Sequence, residues 1–190
     1  MTFTIPNLLS ILRMGLVPLF IIAVIDGHAF RALLIFLIAG ITDALDGFIA
    51  RVWKQQSLLG TYLDPVADKL LLVSAYIALS IPSLNQGTQI PLWVTVLVIA
   101  RDVLLVVVAL VLYLAAGVRR FPPSVLSKIN TALQVVTVVL VLLSNTLPHV
   151  RWVDLIADGA IYVVAALTLA SGLDYMLRVG RLQPAKAHPE

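Results

Sequence analysis

Residues 43–68 read DALDGFIARVWKQQSLLGTYLDPVAD, and the rest of the chain is organised around them. Four aspartates, Asp43, Asp46, Asp64 and Asp68, stand in strongly apolar sequence that otherwise excludes charge. Asp43 and Asp46 are three residues apart and share a helical face with Gly47 and Ala50. Asp64 and Asp68 are four apart, with Gly60 one turn earlier on their own helix. Two helices joined by the polar turn around Lys54 to Ser57 can bring the two carboxylate pairs face to face. Carboxylates gathered in a low-dielectric place repel one another and cannot all stay ionised unaided. One or two divalent cations relieve that repulsion. An oxygen-only ligand set, with no His or Cys nearby, favours Mg2+ or Mn2+ over Zn2+.

Composition sets the class of molecule around this stretch. Of 190 residues, 61% are hydrophobic and 12% charged, and the apolar runs are long enough to cross a bilayer. The expected fold is all-α, a polytopic membrane protein with a six-transmembrane-helix bundle. There are no cysteines, which removes disulfide frames and thiolate metal sites. No cleavable signal is evident, since the N-terminus lacks a basic region and the first apolar run lacks a small-residue cleavage site. The lipid bilayer is the expected surrounding partner, and nucleic acid is not.

Six spans are expected at about 5–25, 30–51, 59–81, 91–117, 124–143 and 153–177, making one domain over residues 1–190. Arg13 lies about two turns inside the first span, so it snorkels or points into the bundle toward an anion. Lys69 is expected to pair with a signature aspartate or to touch substrate. Arg101 and Asp102, near the middle of the fourth span, point roughly 100° apart and are expected to pair with other helices rather than with each other. Lys128 lies near the start of the fifth span, where Ser127, Asn130, Thr131 and Gln134 are also polar. An anionic acceptor would explain Arg13, Arg101 and Lys128 together. Trp53, Trp93 and Trp152, near span ends, read as interface anchors.

Six spans put both termini on one side. The turns and tail there hold Arg51, Lys54, Arg119, Arg120, Arg178, Arg181 and Lys186, against Arg31 and Arg151 opposite. Seven basic residues against two place the termini in the cytoplasm. The aspartates then lie roughly 5–15 Å below the cytoplasmic face, counting about 1.5 Å per helical residue.

The spacing Asp-x2-Asp-Gly-x2-Ala-Arg-x8-Gly-x3-Asp-x3-Asp, complete from Asp43 through Gly47, Ala50, Arg51 and Gly60 to Asp68, resembles the signature of the CDP-alcohol phosphotransferases. Eight fixed positions over 26 residues make a specific pattern. The resemblance implies an integral membrane enzyme of phospholipid synthesis, in a bacterial inner membrane, working as a homodimer with two bound Mg2+ or Mn2+ ions. It implies that Asp43, Asp46, Asp64 and Asp68 hold the metal and that Asp68 is also the general base. It further implies that Asp43, Gly47, Ala50, Arg51 and Gly60 meet the nucleotide of the CDP-activated substrate.

The opening Ile5-Pro6-Asn7-Leu8-Leu9-Ser10-x2-Arg13 and the run Leu63-Asp64-Pro65-Val66-Ala67-Asp68-Lys69-Leu70 are similar to two groups in that family, the phosphatidylglycerophosphate synthases and the cardiolipin synthases. Both take CDP-diacylglycerol and a glycerol-based acceptor, respectively glycerol 3-phosphate and phosphatidylglycerol. Arg101-Asp102, and Ser127-Lys128-Ile129-Asn130-Thr131, depart from the first group and resemble the second. Asn7, Arg13, Lys69, Arg101 and Lys128 are the candidate acceptor or phosphate contacts. An inositol phosphate acceptor is the alternative within the family, and a small cation-coupled transporter is the rival outside it.

Overall fold

Long runs of Leu, Ile, Val and Ala, broken by short segments rich in Pro, Gly and polar residues, fold into six helices. Among the described residues they are α1 (Ile5–Ile25), α2 (Ala29–Val52), α3 (Leu58–Ser80), α4 (Leu92–Ala116), α5 (Val125–Thr146) and α6 (Arg151–Gly180), with a 3-10 turn at Pro82–Leu84. The computed structural model describes residues 5–52, 58–84, 87–116, 124–147 and 150–180. Within the helices, the side chains of the signature are described at Asp43 alone.

The turn between α1 and α2 is set by Gly27, whose φ of +72° is the left-handed conformation that closes a helix. Gly27 N–H donates to Val24 C=O at 3.0 Å and His28 N–H to Ala23 C=O at 2.9 Å. α5 is started by Ser124, whose hydroxyl accepts from Ser127 N–H at 3.1 Å. α5 and α6 each run about one turn beyond the bounds expected from hydropathy. At the end of α5, Thr146 returns its hydroxyl to Leu142 C=O at 2.7 Å, which carries the helix past its apolar run.

α1 packs against both α2 and α3; α5 packs against α2 and α6; α4 lies against α6 and touches α3. Buried Ala32, Ala39, Ala75 and Ala157 let the helices approach closely, and Phe20 and Phe36 meet with ring centroids 5.9 Å apart. The outer faces are apolar too, with Ile22, Leu110, Leu155 and Leu169 exposed. Among the described residues, Val125–Thr146 and Arg151–Arg178 are long and apolar enough to cross a membrane.

α4 is displaced along the bundle axis relative to its neighbours. Before it starts, Thr88 meets the Ser144 hydroxyl at 2.7 Å near the end of α5, and Ile90 N–H donates to Leu79 C=O at 3.1 Å. The chain from Gly87 to Pro91 therefore travels inward as an extended segment, and α4 begins below the ends of α3 and α5. Two consequences follow for residues singled out above. Arg101, expected at mid-depth, stands level with Ser127 at the start of α5. Trp93, expected at an interface, is drawn down beside Tyr162 of α6, ring centroids 6.5 Å apart.

Candidate active site

Among the described residues, the buried charged side chains are Arg13, Arg101 and Asp102, and Arg101 stands where α5 begins. On α1, Arg13 is 1% exposed and points into the bundle, and its Nη1 reaches Asp43 Oδ1 at 3.0 Å. Of the two orientations open to Arg13, snorkelling or facing an anion inside, the second is observed. Asp43 itself is 45% exposed, so its carboxylate is held from one side and open on another. α1 thus contributes a cation to the acidic helix α2 while also lying along α3.

A second group joins the other four helices. Lys69, next to Asp68 on α3, pairs with Asp102 of α4. Arg101 Nη1 donates to the same carboxylate, at Asp102 Oδ1, 2.9 Å away. Its Nη2 donates to Ser127 Oγ at 2.7 Å and its Nε to Ser171 Oγ at 2.9 Å, so one buried guanidinium ties α4 to α5 and α6. Both Arg101 and Asp102 bond to other helices as expected, and one part of that expectation is corrected. Arg101 and Asp102 do pair with each other, because the long arginine stem lies across the helix surface and closes the angle that adjacent positions open. Lys69 pairs with Asp102; the expected pairing with a signature aspartate falls, for Asp46, Asp64 and Asp68, on side chains outside the described residues. Lys128 is exposed, and its side chain takes no part in this group among the described residues.

Beneath the group, α5 presents Asn130 and Gln134, both fully buried. Thr168 donates to Asn130 Oδ1 at 3.1 Å, and Tyr76 Oη donates to the Gln134 C=O at 3.4 Å. Asn130 Nδ2 and both amide atoms of Gln134 have no protein partner among the described residues. Thr168 and Ser171, missed in the sequence, are one turn apart in an otherwise apolar stretch of α6. That spacing of small hydroxyls was the signal available.

The eight signature positions fall on two helices as their spacing requires. Asp43, Asp46, Gly47, Ala50 and Arg51 lie in the last half of α2, and Gly60, Asp64 and Asp68 in the first half of α3. The side chains of Asp46, Arg51, Asp64 and Asp68, with Asn7, lie outside the described residues. Among those described, no group of three or more His, Cys, Asp or Glu stands together. The donor set is nonetheless of one kind, carboxylates spaced a turn apart on each helix, with Asp43 half-exposed. This chemistry fits a hard divalent cation.

A family model described as CDP-alcohol phosphatidyltransferase matches residues 3–170, which takes in both signature helices and the Arg101 group. The chain belongs to the CDP-alcohol phosphatidyltransferase family. It is 36% identical over 197 residues to the cardiolipin synthase (CMP-forming) of Homo sapiens, covering 94% of this chain and 62% of that one. The rat cardiolipin synthase matches equally, and the chain therefore spans about 62% of the length of these two relatives. It is 33% identical over 181 residues to the CDP-diacylglycerol--glycerol-3-phosphate 3-phosphatidyltransferase of Escherichia coli, covering 93% of this chain and 94% of that one. Membership in this family is membership among membrane-embedded proteins, and it leaves the transporter reading without support.

Proposed function

We propose that this CDP-alcohol phosphatidyltransferase moves the phosphatidyl group of CDP-diacylglycerol to a hydroxyl of phosphatidylglycerol, forming cardiolipin and releasing CMP. Its six helices cross the membrane with both termini cytoplasmic, and the site lies just beneath the cytoplasmic face. Asp43, Asp46, Asp64 and Asp68 would hold Mg2+ or Mn2+, which when bound supplies neutralisation of the pyrophosphate and stabilises charge on the departing phosphate. Arg13 fixes the Asp43 carboxylate from inside the bundle. Gly47, Ala50 and Gly60 leave room for the cytidine and ribose, and Arg51 meets a phosphate as a planar fork.

Asp68 takes the proton from the acceptor hydroxyl. That oxygen bonds to the phosphorus carrying diacylglycerol, and the bond from this phosphorus to the bridging oxygen breaks. CMP leaves with the electron pair.

The acceptor is argued from one observation: among the described residues, the cations Arg13, Lys69 and Arg101 already hold carboxylate partners. Arg13 is paired with Asp43, and Lys69 and Arg101 are both paired with Asp102. Lys128 is exposed and the buried polar position near it is the neutral Asn130. A phosphate monoester carries about −1.5 to −2 charges at neutral pH and demands cations, whereas a phosphodiester carries only about −1. Among the described residues, Lys69 and Arg101 against the single Asp102 carboxylate leave about one positive charge, which matches the phosphodiester of phosphatidylglycerol better than the monoester of glycerol 3-phosphate. The second reading, glycerol 3-phosphate giving phosphatidylglycerophosphate, draws on the match to the Escherichia coli transferase along almost its whole length.

Purified protein given CDP-diacylglycerol with each acceptor separately, and its lipid product identified by mass, decides between them. Cardiolipin from phosphatidylglycerol is expected. Phosphatidylglycerophosphate as the sole product would replace this reading by the second, and no CMP release with either acceptor would overturn both.

A further inference from the structure

α4 and α6 run side by side in the same direction, and an apolar groove of about 750 Å³ lies between them, open to the outside of the bundle. Its walls include Val96, Leu97 and Ala100 of α4 and Leu169, Gly172 and Leu173 of α6. The groove exists because Ala100 and Gly172 are small where the two helices would otherwise fill the gap. A Cβ placed on Gly172 would meet only the Arg101 Cγ, at 3.9 Å, in ordinary contact.

The two polar residues of the lining have turned their polar atoms elsewhere. Arg101 spends its guanidinium on Asp102, Ser127 and Ser171, leaving its aliphatic stem toward the groove. Thr168 donates its hydroxyl to Asn130. What remains is a surface suited to hydrocarbon.

Its placement selects the hydrocarbon. At one end is Arg101, whose carboxylate partner Asp102 also binds Lys69, the neighbour of Asp68. At the other end is the Trp93–Tyr162 pair. Tyr162 is eleven residues into α6 and nine before Ser171, so this pair closes the groove near the middle of the bundle's depth. From Arg101 to Trp93 the groove follows α4 for roughly 12 Å at about 1.5 Å per residue. Half of a hydrocarbon core is about 15 Å. The groove therefore takes most of the length of one acyl chain in one leaflet, and with the site at the cytoplasmic face that leaflet is the inner one.

We infer that the α4–α6 groove holds an acyl chain of the acceptor lipid, with its glycerol headgroup at the Arg101–Asp102–Lys69 group and its hydroxyl turned toward Asp68. The donor is placed elsewhere by the signature, all of which lies on α2 and α3. The inference rests on the reading that phosphatidylglycerol is the acceptor, and it adds the element that recognises the lipid part of that molecule. Glycerol 3-phosphate has nothing to put there.

Gly172→Leu and Ala100→Leu fill the groove from either wall. In vesicles with CDP-diacylglycerol held constant, each is expected to raise KM for dioleoyl-phosphatidylglycerol about tenfold with kcat within twofold of wild type. KM for CDP-diacylglycerol is expected to stay unchanged. A phosphatidylglycerol with a photoreactive group in its acyl chain, used on the unaltered protein, is expected to label peptides from 92–104 and 168–176. Unlabelled phosphatidylglycerol should suppress that labelling and CDP-diacylglycerol should not, which separates a bound acceptor from bulk lipid and needs no variant to fold. Unchanged KM in both variants, labelling that phosphatidylglycerol does not suppress, or a raised KM for CDP-diacylglycerol instead, would each overturn the inference. If the wild-type protein makes no cardiolipin at all, the acceptor reading itself has failed; cardiolipin made with an unperturbed KM fails the groove alone.

Discussion

Asp68→Asn is expected to cut CMP release from CDP-diacylglycerol by 10²-fold or more. The substitution keeps volume and one hydrogen-bonding oxygen but removes the lone pair that accepts the acceptor's proton, and general-base catalysis is worth on the order of 10²–10⁴-fold. It also removes one negative charge from the proposed metal cradle, so the fall has two sources. They are separable. Loss of the base lowers kcat at saturating metal, whereas loss of a ligand raises the metal concentration needed for half-maximal rate. Steady-state CMP release measured across a Mn2+ titration reads both. A variant that keeps wild-type kcat would remove Asp68 from the chemistry and leave it a structural carboxylate.

Asp102→Ala is expected to be the most damaging single change to the stability of the bundle. Among the described residues, Asp102 is the one carboxylate between Lys69 and Arg101, and it is 10% exposed against 5% for the arginine. Removing it leaves a buried guanidinium facing an ammonium, with hydrogen bonds among the described residues to Ser127 and Ser171 alone. Breaking a buried pair by deleting one partner costs about 3–5 kcal/mol, mostly the burden of the charge left behind. Thermal unfolding in detergent micelles should show that loss, and Asp102→Asn, which keeps the hydrogen-bonding oxygen without the charge, should fall between. An Asp102→Ala protein unfolding with the wild type would mean that water already reaches the guanidinium and the group is ordinary surface.

The signature was legible in the sequence because it is local: its eight positions occupy two helices and one connection, and helical periodicity alone puts them on common faces. The six helices were legible for the same reason, each being a long apolar run. The inward orientation of Arg13 was one of two readings open from depth alone, and its partner Asp43 lies thirty residues away on another helix. What could not be read was the axial displacement of α4. It depends on the extended segment from Gly87 to Pro91 and on its contacts with α3 and α5, which no periodicity records. That displacement moved Arg101 to the level of Ser127 and drew Trp93 inward, and so created both the Arg101–Asp102–Lys69 group and the groove below it. The pairing of Arg101 with its own neighbour was missed because counting angles around a helix describes Cβ directions and ignores the reach of a long stem. Serines and threonines such as Ser171 and Thr168 drew no attention, since a small hydroxyl is common in such helices and acquires a role only from what packs opposite.

The central claim is that carboxylates of α2 and α3 hold divalent metal for phosphatidyl transfer, and CMP release by the purified protein tests it most directly. With CDP-diacylglycerol and phosphatidylglycerol present, release should be undetectable after exhaustive chelation, return on adding Mg2+ or Mn2+, and stay absent on adding metal to an Asp64→Asn variant. CMP released at the same rate from the chelated and the metal-supplied protein would contradict it.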